Sequence, residues 1–140
     1  MKIAIINGPN LNLLGKREPE IYGSETFEDS LTKLKVKFPE INFDYFQSNV
    51  EGELVNALQQ FGFSADGIIL NPGAYTHTSI AIGDAIVAIK TKVVEVHISN
   101  IFAREEFRKH SFVSAKAIGV ISGLGMKGYE LGVEYFLQNQ

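Results

Sequence analysis

The chain has 140 residues, of which 45% are hydrophobic and 21% charged, a composition that suits one globular domain with a sizeable core rather than a disordered chain. A net charge of −3 without a long basic run argues against nucleic-acid binding, and the absence of cysteine excludes disulfides, thiolate metal sites and cysteine nucleophiles. The apolar run at the N-terminus is too short for a signal sequence or a membrane span. We therefore expect one domain over residues 1–140, without a membrane association, in the cytoplasm.

The chain begins with a strand and a helix that are separated by a long connection. The continuous apolar run 3–6 predicts a strand buried on both faces. Thr26 and Asp29 have capping-box spacing, and the apolar residues that follow recur with a helical period. Pro39 is expected to end this helix.

A second strand is expected at 41–46, and a second helix should follow it. Ser48 and Glu51 form a second capping-box pattern. The buried face of that helix is expected to end before Gly62 and to carry four apolar residues, Val50, Leu54, Leu58 and Phe61.

The second half of the chain continues the same alternation. A third strand is expected at 67–70, a helix at about 79–89 and a fourth strand at 93–98. A fifth strand at 117–121 precedes a last helix, which Gly125 should open. Successive strand–helix units predict a parallel sheet covered by helices on both faces, so the fold class is α/β, a flavodoxin-like three-layer sandwich with a five-stranded parallel sheet.

Polar residues follow the predicted strands at the points where these strands end. Parallel α/β sheets bind ligands outside the carboxyl ends of their strands, near the switch in strand order. Polar groups that cluster there predict a site in that region, and the cluster comprises Asn7, Asn10, Asn71, His97, Ser99 and Ser122.

The connection after the first strand, residues 7–23, is much longer than the roughly 2–6 residues usual for such a turn. It contains Arg17 and Tyr22, and an arginine can lower the pKa of a tyrosine so that its phenolate acts as a base. Lowering the pKa of a tyrosine from about 10 to about 7 requires about 4 kcal/mol of stabilisation of its phenolate. One cation at about 4 Å supplies roughly that amount when the effective dielectric constant is ~20. Burial opposes the shift, so closure of the loop or a second cation such as Arg104 would help.

Glu95, His97 and Ser99 alternate along the fourth strand and are expected on one face. A carboxylate beside a histidine orients the ring and favours its protonated form, as a general acid requires, although a buried histidine with a purely structural role fits equally well. A serine hydrolase is not indicated, since the chain lacks a G-x-S-x-G elbow.

Two glycine-containing turns also attract attention. In the segment 71–78, Gly73 allows close approach of the backbone to a ligand, and His77 is a second candidate polar contact. The segment 123–128 matches G-x-G-x-x-G, but the acidic residue on a further strand that a dinucleotide site requires has no place in the few residues that remain. No pair of histidines has the helical spacing of metal ligands, so we expect no metal.

Several blocks of the sequence follow one another in a fixed order: N-G-P-N-L-N-L-L-G with R-E-P-E-I-Y-G, then N-P-G-A-Y-T-H-T-S, then E-V-H-I-S-N-I-F-A-R-E-E-F-R. In this order, and on to the final glycine turn, they closely resemble type II 3-dehydroquinate dehydratase. The resemblance implies a hydro-lyase that converts 3-dehydroquinate reversibly to 3-dehydroshikimate, in the shikimate pathway or in quinate breakdown. The implied reaction is an anti elimination through an enolate, without metal, cofactor or Schiff base.

The resemblance also implies roles for individual residues. Tyr22 would be the base, Arg17 its activator, His97 the acid, and Asn10 would hold a water that polarises the enolate oxygen. The substrate would contact Asn71, His77 and Arg108 through its hydroxyl groups and the backbone amides of Ile98 and Ser99 through its carboxylate. Asp84 would reach into the site of a neighbouring subunit in a homo-oligomer, a dodecamer built from trimers.

The chief alternative from another functional class is a flavodoxin-like binding module for a phosphorylated ligand or a flavin, which the fold and the glycine turns would also suit. Among enzymes, the alternative is a dehydratase that forms a Schiff base with its substrate, which trapping with borohydride would reveal.

Overall fold

The structure, a computed structural model, describes residues 1–17 and 19–140 without the side chains of Ile21 and Tyr22. Five parallel strands form one sheet in the order β2-β1-β3-β4-β5, with the strands at Lys2–Asn7 (β1), Asn42–Gln47 (β2), Gly67–Asn71 (β3), Val93–His97 (β4) and Gly119–Ser122 (β5). The helices are Pro19–Tyr22 (α1), Phe27–Lys37 (α2), Glu51–Phe61 (α3), Ile80–Ala88 (α4) and Lys127–Gln138 (α5). This confirms the flavodoxin-like α/β fold.

The strands carry buried residues on both faces, as the continuous apolar run in β1 predicts. Ile3 and Ile5 belong to the core formed with α2 and α5, whereas Ala4 and Ile6 belong to the core formed with α3 and α4. The alternation follows from the period of two in a strand, which directs successive side chains to opposite faces. The sheet is therefore the middle of three layers.

The beginning of α2 agrees with its sequence pattern. The hydroxyl of Thr26 accepts the backbone N–H of Asp29 at 3.1 Å, and the Asp29 carboxylate accepts the backbone N–H of Thr26 at 3.0 Å. This reciprocal pair confirms the predicted capping box. The helix ends at Lys37, and Phe38 and Pro39 follow.

The beginning of α3 does not agree with its pattern, and the predicted capping box of Ser48 with Glu51 is wrong. Val50 occupies the N-cap position, and its side chain is 53% exposed, so it does not belong to the buried face. Ser48 lies further upstream, where its hydroxyl accepts the backbone N–H of Val50 at 3.0 Å and donates to Glu53. The pattern would make Ser48 the N-cap, but the N-cap is Val50, and the helix begins at Glu51.

The other predicted elements are found with small differences at their ends. β4 ends at His97, β5 begins at Gly119, and α5 begins at Lys127. Short 3-10 turns at 11–13, 73–77, 101–103 and 106–109 occupy several of the connections. Within the described ranges, none of the helices is both long and apolar enough to cross a bilayer.

Candidate active site

The last residues of neighbouring strands lie side by side at the carboxyl edge of the sheet. Asn7 of β1 pairs with Asn71 of β3, and His97 of β4 pairs with Ser122 of β5. The switch in strand order lies between β1 and β3, where a ligand site is expected in this class of sheet. The backbone therefore brings together the strand-end residues that the sequence singled out.

The side chain of a buried tyrosine forms hydrogen bonds with both asparagines. The hydroxyl of Tyr129, on α5, donates to Oδ1 of Asn7 at 2.8 Å and accepts from Nδ2 of Asn71 at 2.9 Å. Oδ1 of Asn71 also accepts the backbone N–H of Gly73 at 3.1 Å. The amide of Asn71 consequently has its oxygen and nitrogen fixed in one orientation. Burial raises the pKa of Tyr129 well above its ordinary value, which keeps it a neutral hydrogen-bond donor.

Glu95 and His97 form a buried pair at the end of β4. Nε2 of His97 bonds to Oε2 of Glu95, and the side chain of Glu95 is fully buried. The carboxylate also accepts the hydroxyls of Thr76 and Ser114, each at 2.7 Å. Because Nε2 is engaged by the carboxylate, Nδ1 is the ring nitrogen that remains for a substrate.

The environment of Glu95 favours its ionised form. Burial raises the pKa of its carboxyl, but the hydrogen bond and the charge of His97, together with the two hydroxyl donors, outweigh this effect, so its pKa lies below the usual value. A carboxylate that remains ionised beside a histidine is suited to hold that ring for proton transfer.

The turn at 73–77 places His77 beside the site, with Nδ1 donating to the carbonyl of His110 at 2.7 Å. In the neutral ring Nε2 is then an acceptor, as a contact to a substrate hydroxyl would require. Asn49 connects this turn to the loop after β1, since it accepts the backbone N–H of Asn10 at 3.0 Å and the hydroxyl of Tyr75 at 2.9 Å. Asn10 itself has a φ of 71°, a conformation that asparagine tolerates better than most residues.

The residues after His97 have a fixed backbone orientation. The carbonyl of Ile98 accepts the N–H of Gly125 at 3.0 Å, and the carbonyl of Ser99 accepts the hydroxyl of Ser122 at 3.2 Å. Because the peptide unit is planar and trans, the N–H of Ser99 points away from Gly125. This orientation leaves it suitable for an anion.

Three charged side chains form a chain beside this segment. Arg104 donates to Oγ of Ser99 at 3.2 Å, and Arg108 donates through Nε to Glu105 at 2.6 Å. A backbone hydrogen bond and the nearby Arg108 lower the pKa of the Glu105 carboxyl. Nε of Arg104 lies 3.9 Å from the Glu105 carboxylate, so Glu105 links the two arginines, and Nε of Arg108 is engaged by Glu105.

The long loop after β1 contains a short 3-10 turn and α1, and its middle lies close to the residue that follows it. A Cβ on Gly15 would come within 2.6 Å of the carbonyl oxygen of Ser24, and both Gly15 and Gly23 have φ near 80°. Arg17 is exposed. The predicted pairing of Arg17 with the phenol of Tyr22 lies outside the described residues, because the structure does not describe the side chain of Tyr22.

Asp84 lies on the exposed face of α4. Ile80 and Val87 share that face at helical spacing, and their side chains are 58% and 66% exposed.

An open cavity of about 780 Å³ lies elsewhere, at the amino-terminal edge of the sheet, between Phe63, Lys90, Lys92 and Tyr135. The polar cluster is at the opposite edge, and we assign the site there, since ligands in parallel sheets bind at the carboxyl ends of the strands. Among the residues that the structure describes, no group of three or more His, Asp or Glu side chains is arranged to hold a metal ion.

Four polar residues at the site are absent from the sequence-based prediction of site residues: Thr76, Ser111, Ser114 and Tyr129. The only advance signal for Tyr129 was its position on the inward face of a helix, which predicts packing rather than a polar contact. The serines follow β4 in an irregular segment, whose path the local pattern does not specify.

Comparison with known proteins identifies the family of this chain. The profile of the family described as dehydroquinase class II matches residues 1–137. The chain belongs to this family. It is therefore an enzyme of the type II 3-dehydroquinate dehydratase class, a hydro-lyase.

Individual members of the dehydroquinase class II family are similar over nearly the whole chain. The 3-dehydroquinate dehydratase of Prochlorococcus marinus is 56% identical over 137 residues, which cover 96% of this chain and 92% of that protein. The corresponding protein of Fusobacterium nucleatum is 54% identical, with 99% and 97% covered. The crystal structure of type II dehydroquinase from Butyrivibrio crossotus superposes with a TM-score of 0.92 at 44% identity, covering 98% of this chain and 97% of that one.

Proposed function

We propose that residues 1–140 form a single catalytic domain that removes water from 3-dehydroquinate by anti elimination through an enolate. The observation that supports this most is the buried Glu95–His97 pair at the carboxyl end of β4, in a chain of the dehydroquinase class II family. Family membership favours this activity over the alternative of a binding module for a flavin or a phosphorylated ligand.

In the first step, the phenolate of Tyr22 takes a proton from C2, next to the ketone. The guanidinium of Arg17 lowers the pKa of Tyr22, and the water held by Asn10 stabilises the negative charge that moves onto the ketone oxygen. The loop between Gly15 and Gly23 closes over the substrate and excludes water, which strengthens the effect of the cation. This role explains the length of the loop.

In the second step, the enolate expels the hydroxyl group of C1 as water. His97 donates the proton to that oxygen, the C1–O bond breaks, and the C1–C2 double bond forms in conjugation with the ketone. The hydrogen bond between Nε2 of His97 and Glu95 supports this role, because the carboxylate fixes the orientation of the ring. The reaction needs neither a metal nor a Schiff base.

Polar groups around the strand ends bind the substrate. Asn71, His77 and Arg108 contact its hydroxyl groups, and the N–H groups of Ile98 and Ser99 bind its carboxylate. The fixed amide of Asn71 supports this assignment, since its orientation is set before the substrate arrives.

We further propose that the protein is a cytoplasmic homo-oligomer, a dodecamer built from trimers, in which Asp84 completes the site of a neighbour. The support is the outer face of α4, where Asp84 lies between two exposed apolar side chains, together with the exposed Ile118 and Val120 at the β5 edge.

The base is tested by Tyr22→Phe, which removes the hydroxyl and keeps the ring. We expect kcat to fall by at least about 10²-fold while KM changes little, because the group acts on the transition state rather than on binding. Steady-state kinetics with 3-dehydroquinate measure both constants. Near-normal turnover would remove Tyr22 from the role of base, and a borohydride-trapped covalent adduct would show that the enzyme uses a Schiff base.

A further inference from the structure

Hydroxyl groups from two separate segments converge on the Glu95 carboxylate. Thr76, in the turn 73–77, donates to Oε2, and Ser114 donates to Oε1, each at 2.7 Å. Ser111 lies behind Thr76, with 2.6 Å between the two hydroxyl oxygens. Together with His97, these groups surround a carboxylate that has no access to water.

The direction of each hydrogen bond follows from the number of protons available. Oγ of Ser111 accepts the backbone N–H groups of Val113 and Ser114, each at 2.9 Å, which fills its two acceptor positions. Its own proton therefore goes to Thr76, and the proton of Thr76 goes to Glu95. Both hydroxyls next to the carboxylate are donors, an arrangement that matches an ionised group, which only accepts.

We propose that Thr76 and Ser114 are positioning residues of the dehydration, which hold Glu95 as an anion and in one plane against Nε2 of His97. The proposal rests on the proposed function, since it concerns the acid of that reaction. When the hydroxyls are lost, the proton that His97 must deliver can instead reside on Glu95, and the ring loses its fixed partner. The two hydroxyls thus act on the substrate only through Glu95 and His97.

Other titratable groups on the elements packed around this carboxylate are directed elsewhere. Tyr75 donates to Asn49, His77 donates to the carbonyl of His110, and Asp84 is exposed on α4. The remaining charged groups at the ends of the 111–114 segment, Lys109 and Lys116, are exposed as well. Within the described chain, Glu95 has its hydrogen bonds with Thr76, Ser114 and His97.

The first test compares steady-state kinetics of the full-length enzyme with 3-dehydroquinate. Thr76→Val and Ser114→Ala each remove one hydroxyl, and we expect kcat to fall by about 3- to 10-fold with little change in KM. Thr76→Ser keeps the hydroxyl and should retain most of the wild-type kcat. Thr32→Val and Ser64→Ala remove hydroxyls that bond only to carbonyl groups of their own local segments, and these controls should leave both constants unchanged.

The second test measures the titration of Glu95 without reference to activity. In protein labelled with ¹³C at the glutamate carboxyls, the Glu95 signal is assigned by its loss in Glu95→Gln. Because the hydroxyl donors stabilise the anion, Thr76→Val and Ser114→Ala should raise the titration midpoint of Glu95 by about half to one pH unit. The two control variants should leave it in place.

The third test asks whether the hydroxyls act through Glu95. In a Glu95→Gln background, Thr76→Val and Ser114→Ala should cause little further loss of kcat, since the group they hold is already changed. Full multiplicative losses there, or an unmoved Glu95 midpoint, would overturn the proposal and leave the role of His97 intact. Wild-type kcat in His97→Gln would instead contradict the acid of the proposed function, and the positioning role with it.

Discussion

The hydroxyl of Tyr129 lies at the centre of the carboxyl edge of the sheet, where it connects the amides of Asn7 and Asn71. All three side chains are buried, and the two hydrogen bonds of the Tyr129 hydroxyl fix the orientation of both amides. The partners of Tyr129 are 122 and 58 residues away in the chain. Helical spacing therefore places the ring in the core, but only the tertiary structure shows what its hydroxyl contacts.

Tyr129→Phe tests this connection. The substitution leaves Oδ1 of Asn7 without its donor in a buried position, so we expect unfolding to become easier by about 1–3 kcal/mol. Urea denaturation measures the change. Tyr135→Phe, at an exposed position on the same helix, is the matched control and should change stability by less than about 0.5 kcal/mol. Equal effects of the two substitutions would contradict the account.

Helix ends show which elements a sequence can specify. The capping box of α2 lies within four consecutive residues that contact one another, so the local pattern from Thr26 to Asp29 was sufficient. At α3 the same pattern begins at Ser48, but its hydroxyl bonds to Val50 and Glu53 and the helix begins later. The four-residue pattern alone therefore does not distinguish a capping box from a serine that bonds to the residue two positions on.

The position of α4 depends on a glycine. A Cβ on Gly83 would overlap the carbonyl oxygen of Phe112, so the helix can approach the 111–114 segment closely only without a side chain there. That segment carries Ser114, which donates to Glu95, and Ser111, which contacts Thr76. The spacing of apolar residues in α4 predicts the helix itself, but not this contact, because residues 83 and 112 are far apart in the chain.

Gly83→Ala tests the close approach of α4. We expect a loss of stability of about 1–3 kcal/mol, since backbone must move to accommodate the methyl group, and a lower kcat as the serines shift. Gly52→Ala on α3 is the matched control, because a Cβ there meets no atom within 4 Å. It should leave stability unchanged or raise it by up to about 1 kcal/mol. Thermal unfolding measures the stability of both variants. A Gly83→Ala protein as stable as the wild type would contradict the close contact between Gly83 and Phe112.

For the whole molecule, two places where apolar side chains are exposed bear on the proposed assembly. Ile80 and Val87 are exposed on α4, and Ile118 and Val120 are exposed at the edge strand β5. Exposed apolar surface of this kind is a candidate for an interface. The parallel sheet could be predicted from the alternation of strands and helices, and the polar residues at its carboxyl edge from the predicted strand ends, whereas any contacts between subunits would depend on surfaces that no local pattern identifies.

Val87→Lys tests the proposed assembly. A charge on the outer face of α4 should prevent subunits from packing there, so we expect a lower mass in sedimentation and a lower kcat/KM, because Asp84 no longer reaches a neighbouring site. Val36→Lys on α2 is the control, since its side chain is 76% exposed on a different helix. A Val87→Lys protein with the mass and activity of the wild type would exclude α4 from the interface.

The central claim is that this chain eliminates water from 3-dehydroquinate with His97, held by Glu95, as the acid. The most direct measurement follows the ultraviolet absorbance of the conjugated enone product after 3-dehydroquinate is added to the purified protein. We predict rapid formation of the enone by the wild type, unaffected by borohydride, and at least about 10²-fold slower formation by His97→Gln. An absence of enone with the wild type, or equal rates for the two proteins, would contradict the account.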